Sequence, residues 1–162
     1  MLVSDTSTLI LLAKINALGP LLDEVKQVAI PKAVYAELAR KEGALDVLLI
    51  KKEIGKKRIT VHDVGKKHYA NILEQFKLDE GEASAYGLLK QKNAEAILTD
   101  DGELIKLCKV DGVAFITALS VVVRLYRKKK LAKTEALEKL EELRAHGWYS
   151  HEVYNYFREQ VN

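Results

Sequence analysis

The sequence predicts an α/β domain with a mainly parallel sheet and helices on both faces. Short apolar runs of strand length alternate with longer helical runs along the chain, the pattern of βαβ units. The 162 residues are enough to bury a full core, and 48% hydrophobic with 30% charged residues is the balance of an ordinary globular protein. Pro20 and Pro31 are the only prolines, with no low-complexity linker and no internal repeat, so residues 1–162 read as one domain.

The first strand is "MLVSD", and "STLILLAKI" follows as a helix by length and composition. "ALGPLLDEV" adds a short helix and "QVAIP" a second strand. Pro31 opens the helix "KAVYAELARKE", at a position where its missing N–H does no harm. Residues 43–57 read as another helix, and "RITVHD" alternates as a third strand. "GKKHYANILEQFK" and "DEGEASAYGLLKQKN" are successive helices. "EAILTD" is a strand that ends in acid, "DGELIKLCKVDG" is a helix stopped by Gly112, and "VAFIT" is the last strand. "ALSVVVRLYRKKK", "KTEALEKLEELRAH" and "YSHEVYNYFREQ" form a helical C-terminus over about 118–160.

Composition excludes several classes. No apolar run reaches membrane-spanning length and no signal-type segment opens the chain, so a cytoplasmic protein without membrane contact is expected. Cys108 is the single cysteine, which rules out an internal disulfide and a cysteine-based zinc site; a buried, inert thiol is expected. His62, His68, His146 and His151 are scattered, with no i,i+4 pair to hold a metal.

The net charge is only +3, but it is uneven. Residues 51–67 hold Lys51, Lys52, Lys56, Lys57, Arg58, Lys66 and Lys67 against Glu53 and Asp63. Residues 124–133 hold Arg124, Arg127, Lys128, Lys129, Lys130 and Lys133 with no acid. Such patches suit a phosphate backbone, though solvated helix ends and loops carry the same charges. The Glu-rich helix around Lys139 reads as a solvated face, and Trp148, Tyr149, Tyr154, Tyr156 and Phe157 as an aromatic tail that docks the last helix on the core or meets a partner.

In parallel sheets, sites form beyond the carboxyl ends of the strands. Two strand ends here are acidic: Asp5, and the pair Asp100–Asp101. Glu82 shares a helix face with Leu78, Ala85 and Leu89, which puts a carboxylate on an apolar stripe among small neighbours; Asp79 and Glu82 also have capping-box spacing. Glu37 lies mid-helix beside Val34 and Leu38, where a surface pair with Lys41 is the simpler role. Asp100 and Glu103 have capping-box spacing too. Helix capping at the first turn is assigned to Thr6 or Ser7, which do it without burying a charge, leaving Asp5 free. Clustered carboxylates repel unless a cation neutralises them, and hard oxygen ligands suit Mg²⁺ or Mn²⁺.

This arrangement resembles the PIN domain family, metal-dependent nucleases of single-stranded RNA. "VSDTSTLI" matches the first motif and supplies Asp5; "AVYAEL" supplies Glu37; "LDEGEASAYGLL" looks like a "GEA" form of the third and supplies Glu82; "ILTDDGEL" supplies Thr99 and Asp101, with Asp100 beside it. The motifs span about residues 1–125, and "HGWYSHEVYNYF" resembles the aromatic C-terminal helix of a small prokaryotic subgroup described as predicted nucleic-acid-binding proteins. The resemblance implies a three-layer α/β/α domain with about five strands, acids converging at the C-terminal edge of the sheet, and RNA hydrolysis by a metal-activated water. Many members are toxins paired with a small antitoxin, and many are homodimers.

On this reading Asp5, Glu37, Glu82 and Asp101 are the catalytic, metal-holding residues, with Asp100 a reserve ligand. Thr6, Ser7 and Thr99 orient the carboxylates or water. Lys51, Lys52, Lys56, Lys57, Arg58, Arg124, Arg127, Lys128, Lys129 and Lys130 hold phosphates. The rival reading is a nucleic-acid-binding module of the same fold with a weak or inactive acidic site. A phospho-signalling receiver is disfavoured because no Lys follows "VAFITALS" until Lys128, and an aspartyl-nucleophile phosphohydrolase because "DTS" lacks the Asp-x-Asp pattern.

Overall fold

Five short strands pair in parallel: β1 (Leu2–Ser4), β2 (Val28–Pro31), β3 (Ile59–His62), β4 (Ala96–Leu98) and β5 (Phe115–Ile116). In the computed structural model, which describes residues 1–162, the sheet order is β3-β2-β1-β4-β5. The central pair is in register through Leu2 with Ala96, Val3 with Ile97 and Ser4 with Leu98.

Side chains of a strand alternate between faces, and here each face has its own core. Leu2, Val28, Ile30, Ala96 and Leu98 join the larger core. Val3, Ala29 and Ile97 join the smaller one on the other side. Both faces are buried, which is why these strands read as apolar runs rather than as alternating ones.

The helices are α1 (Thr6–Lys14), α2 (Leu18–Val25), α3 (Lys32–Arg40), α4 (Leu45–Gly55), α5 (Ala70–Gln75), α6 (Glu80–Lys92), α7 (Gly102–Asp111), α8 (Ala118–Arg127), α9 (Lys133–His146) and α10 (His151–Glu159). Residues of α1, α2, α8 and α9 build the larger core, and those of α6 and α7 the smaller one. The result is the expected α/β/α layering. Cys108 lies buried on α7, and burial pushes its thiol up to about 11, so it stays protonated. No helix is long and apolar enough to cross a membrane.

The structure corrects three local expectations. Pro31 does not occupy the first turn of α3; it ends β2 opposite His62 and is the extended residue just before the helix. The segment 65–77 is not one helix: a 3₁₀ turn (Lys66–His68) and α5 are separated by Tyr69 at φ −141°. Lys139 is not solvated. It is buried, and its Nζ donates to the Ile15 carbonyl at 2.7 Å. That carbonyl lies just past the end of α1, where helix C=O groups lack partners and a cation is favoured.

Candidate active site

The connections from β1 and β4 leave in opposite directions, to β2 and to β5. This switch point opens a crevice between the carboxyl ends of the two strands. Asp5 follows β1 there and is almost completely buried. Its N–H donates to the Leu98 carbonyl at 3.2 Å, which ties it to β4. Asp5 also caps α1: Oδ1 accepts from the Thr8 N–H at 2.9 Å. Oδ2 accepts from Thr99 Oγ1 at 2.6 Å. The assignment of the cap to Thr6 or Ser7 is therefore overturned. The cap is the extended residue before the first helical one, and both of those residues are already inside the helix. Burial pushes the Asp5 carboxyl up to about 6, against the pull of the Thr99 and Thr8 hydrogen bonds.

Glu37 on α3 is half-buried and turns inward, with Oε2 accepting from Thr6 Oγ1. It makes no ion pair with Lys41. Gly81, the glycine of the "GEA" stretch, explains the approach of α6. A Cβ there would lie 2.6 Å from Glu37 Oε2 and 3.2 Å from Asp79 Oδ1.

Glu82 serves as a cap and belongs to the acidic group at once. The Asp79 N–H donates to its Oε2 at 2.9 Å, and its own N–H donates to Asp79 Oδ1 at 2.8 Å. Burial raises its carboxyl to about 7, with Asp101, Asp79 and Asp5 adding like-charge repulsion. Asp101, not Asp100, caps α7, with Oδ1 accepting from the Leu104 N–H at 2.7 Å. Its N–H donates to Thr99 Oγ1 at 3.1 Å, so Thr99 joins the acids after β1 and β4.

Asp100 is a brace. Oδ2 accepts from Thr8 Oγ1 at 2.9 Å, Oδ1 accepts from the Tyr149 hydroxyl at 2.7 Å, and the Ala118 N–H reaches the carboxylate at 3.1 Å. These donors occupy the oxygens that a reserve ligand would need. Thr8 and Tyr149 are the residues that sequence reasoning missed. Thr8 is fully buried and returns the bond, its Oγ1 accepting from the Asp100 N–H at 3.0 Å. Ser7, expected to orient a carboxylate, is exposed and makes no such bond.

Every ion pair of the chain lies elsewhere: Asp5, Glu37, Glu82, Asp101, Asp79 and Asp100 have no Lys, Arg or His partner. Glu37 Oε1, Glu82 Oε1 and Asp101 Oδ2 have no hydrogen-bond partner in the protein. No three His, Cys, Asp or Glu side chains stand grouped as a ready-made cage for an ion. The donor set is all hard oxygen, uncompensated and partly free. That fits Mg²⁺ or Mn²⁺, which bind through one or two carboxylates and keep several waters; it does not fit an ion needing a closed protein cage.

The two basic patches are not brought beside the acids. In a parallel sheet, residues after strands share one edge and residues before strands share the other. Lys56, Lys57 and Arg58 precede β3, and Lys51 and Lys52 lie on the helix running toward that edge. α8 starts beside Asp100 and runs back about 15 Å, so Arg124, Arg127, Lys128, Lys129 and Lys130 end on the far side. Several of these cations are already paired: Lys51 with Glu42 at 2.5 Å, Arg58 with Glu53 at 2.6 Å, and Arg124 with Glu24 at 3.3 Å. Lys66 and Lys67 follow β3 instead, and they are exposed at the acid edge.

A parallel three-layer domain that gathers uncompensated carboxylates at its switch point has the build of a nuclease-type fold. The chain belongs to the PIN domain family: a family model described as DUF3368, PIN domain, matches residues 1–162. PIN domains are generally nucleases and typically use divalent metals. No curated protein and no solved structure matches the chain.

Proposed function

We propose that the chain is a divalent-metal-dependent endoribonuclease that hydrolyses phosphodiester bonds of single-stranded RNA. The observation that carries this reading is that Asp5 and Asp101 repel Glu82 across the switch point, with Glu37 bonded to Thr6 next to Asp5, and that none of the four has a protein cation. These four would hold Mg²⁺ or Mn²⁺. When bound, the ion supplies charge stabilisation at the scissile phosphate and an activated water. The chain supplies the positioning. Thr99 fixes Asp5 and the Asp101 backbone, Thr6 fixes Glu37, and Asp79 fixes Glu82. Lys66 and Lys67 take the phosphates next to the scissile one, and the far-edge cations take more distant ones.

A second reading, an RNA-binding module without cleavage, draws on the lack of a grouped three-ligand site. One experiment separates them. Purified wild type and Asp5→Asn are incubated with single-stranded RNA and Mn²⁺, and ion binding is followed by calorimetry. Cleavage and ion binding by wild type alone support the nuclease. Equal cleavage by both proteins points to a contaminant and sinks it, and RNA binding without cleavage leaves the second reading. The toxin role, a small antitoxin partner and a homodimer rest on family resemblance alone; the molecular mass of the isolated chain in solution tests the last.

A further inference from the structure

We infer that Tyr149, acting through Asp100 and Thr8, is a positioning residue for the Asp5 carboxylate, an inference that rests on the metal-dependent reading above. Divalent-ion binding at the acids and docking of the α9–α10 link then favour each other. Three hydrogen bonds join the two places. The Tyr149 hydroxyl donates to Asp100 Oδ1 at 2.7 Å, Thr8 Oγ1 donates to Asp100 Oδ2 at 2.9 Å, and the Thr8 N–H donates to Asp5 Oδ1 at 2.9 Å. Burial and the nearby Asp100 and Asp5 charges push the phenol up, so it keeps the proton it donates.

Asp100 is placed to pass a displacement on. Its side-chain donors come from three elements: Thr8 of α1, the Ala118 N–H that opens α8, and Tyr149 of the link. Peptide bonds join it to Asp101 and to Thr99, whose Oγ1 holds Asp5 Oδ2 at 2.6 Å. Thr8 is fully buried, and its Oγ1 also accepts from the Asp100 N–H at 3.0 Å, so these two residues are tied twice. One carboxylate thus fixes both residues that hold Asp5.

The C-terminal helices as a whole have other anchors. Leu140, Leu143, Tyr154 and Val161 sit in the larger core, Lys139 holds the end of α1, and Arg127 donates to Gln160 at 2.7 Å. The link itself is shaped around the tyrosine ring: a Cβ at Gly147 would come within 2.9 Å of Tyr149 Cζ. Coupling along such a chain of bonds is reciprocal. The ion steadies the link by the same factor as the docked link strengthens ion binding.

Mn²⁺ binding to the full chain is measured by calorimetry, without RNA. Tyr149→Phe, which keeps the ring, should bind the ion roughly tenfold more weakly than wild type, as loss of a ligand-orienting partner does. Lys139→Met loosens α9 at the opposite end of α1 from Asp5 and should bind as wild type. Added to Asp100→Asn, the Tyr149→Phe change should weaken binding little further, because the tyrosine acts through Asp100. In wild type, Mn²⁺ should slow hydrogen exchange over 147–162, a measurement that needs no variant. Wild-type affinity in Tyr149→Phe, or exchange that Mn²⁺ leaves unchanged in wild type, overturns the inference and leaves the nuclease reading standing. Equal weakening by Lys139→Met reduces Tyr149 to a part in general stability and also overturns it, as do fully additive losses in the double variant. A wild type that binds no ion removes the nuclease reading and this inference together.

Discussion

Replacing Asp5 by Asn should stabilise the metal-free protein at neutral pH and above. Asp5 is buried, has no cation, and its carboxyl is pushed from the ordinary 3.8 to about 6. That difference corresponds to roughly 3 kcal/mol held against the ionised form. The sign follows from proton linkage. The folded protein binds the Asp5 proton more tightly than the unfolded chain, so the penalty is full above about pH 6 and falls to about half by pH 5. Below both values it vanishes.

Asn keeps an oxygen for the Thr8 N–H and is itself a good helix cap. Allowing for imperfect refitting of the amide against Thr99, a gain of about 1–2 kcal/mol at pH 8 is expected, or roughly 2–8 °C in melting temperature for a chain of this size. The assay is thermal unfolding in EDTA at pH 8 and pH 5, wild type against Asp5→Asn. Adding Mg²⁺ should raise the melting temperature of wild type and do little for the variant. An Asn variant that is less stable than wild type at pH 8, with the same pH dependence, would refute the view of Asp5 as an uncompensated buried charge.

Three further outcomes follow from the geometry. Gly81→Ala should lose about 1–3 kcal/mol in urea unfolding, because the new methyl meets the Glu37 carboxylate, and RNA cleavage should fall with it. Tyr149→Phe removes a donor from Asp100 and should cost about 1–2 kcal/mol, seen as faster hydrogen exchange over 147–162; unchanged exchange would deny Tyr149 its anchoring role. Lys139→Met should cost about 1–3 kcal/mol by leaving the Ile15 carbonyl without its donor, while ion binding stays as in wild type.

The centre of the sheet was legible because β1, β2 and β4 are buried on both faces, so each is a compact apolar run, while β3 at the edge was legible by its alternation. The acids at the switch point were legible for a related reason: a charge at the end of such a run stands out. What each oxygen does was not legible. Asp5, Asp101 and Glu82 cap helices and line the crevice at once, and local spacing cannot show a side chain with two employments. Thr8 and Tyr149 were hidden because Asp100 meets them across 92 and 49 residues of sequence. Where the cations stand relative to the acids was not legible from charge runs, for a topological reason. Neighbours in sequence such as Arg58 and Lys66 flank one strand, and so stand at opposite edges of the sheet. Asking only whether a lysine precedes or follows a strand separates the two groups.

The hydrogen bond from Tyr149 to Asp100 has a consequence for the order of events in making the protein. Asp5 is synthesised well before Tyr149, yet the brace behind its cap is closed by the hydroxyl of that later residue. A chain emerging from the ribosome can pair its first strands and bury much of the larger core before that hydroxyl exists. The crevice is then only loosely held. On the nuclease reading proposed above, the acidic centre is thus completed late, once α9 and α10 dock.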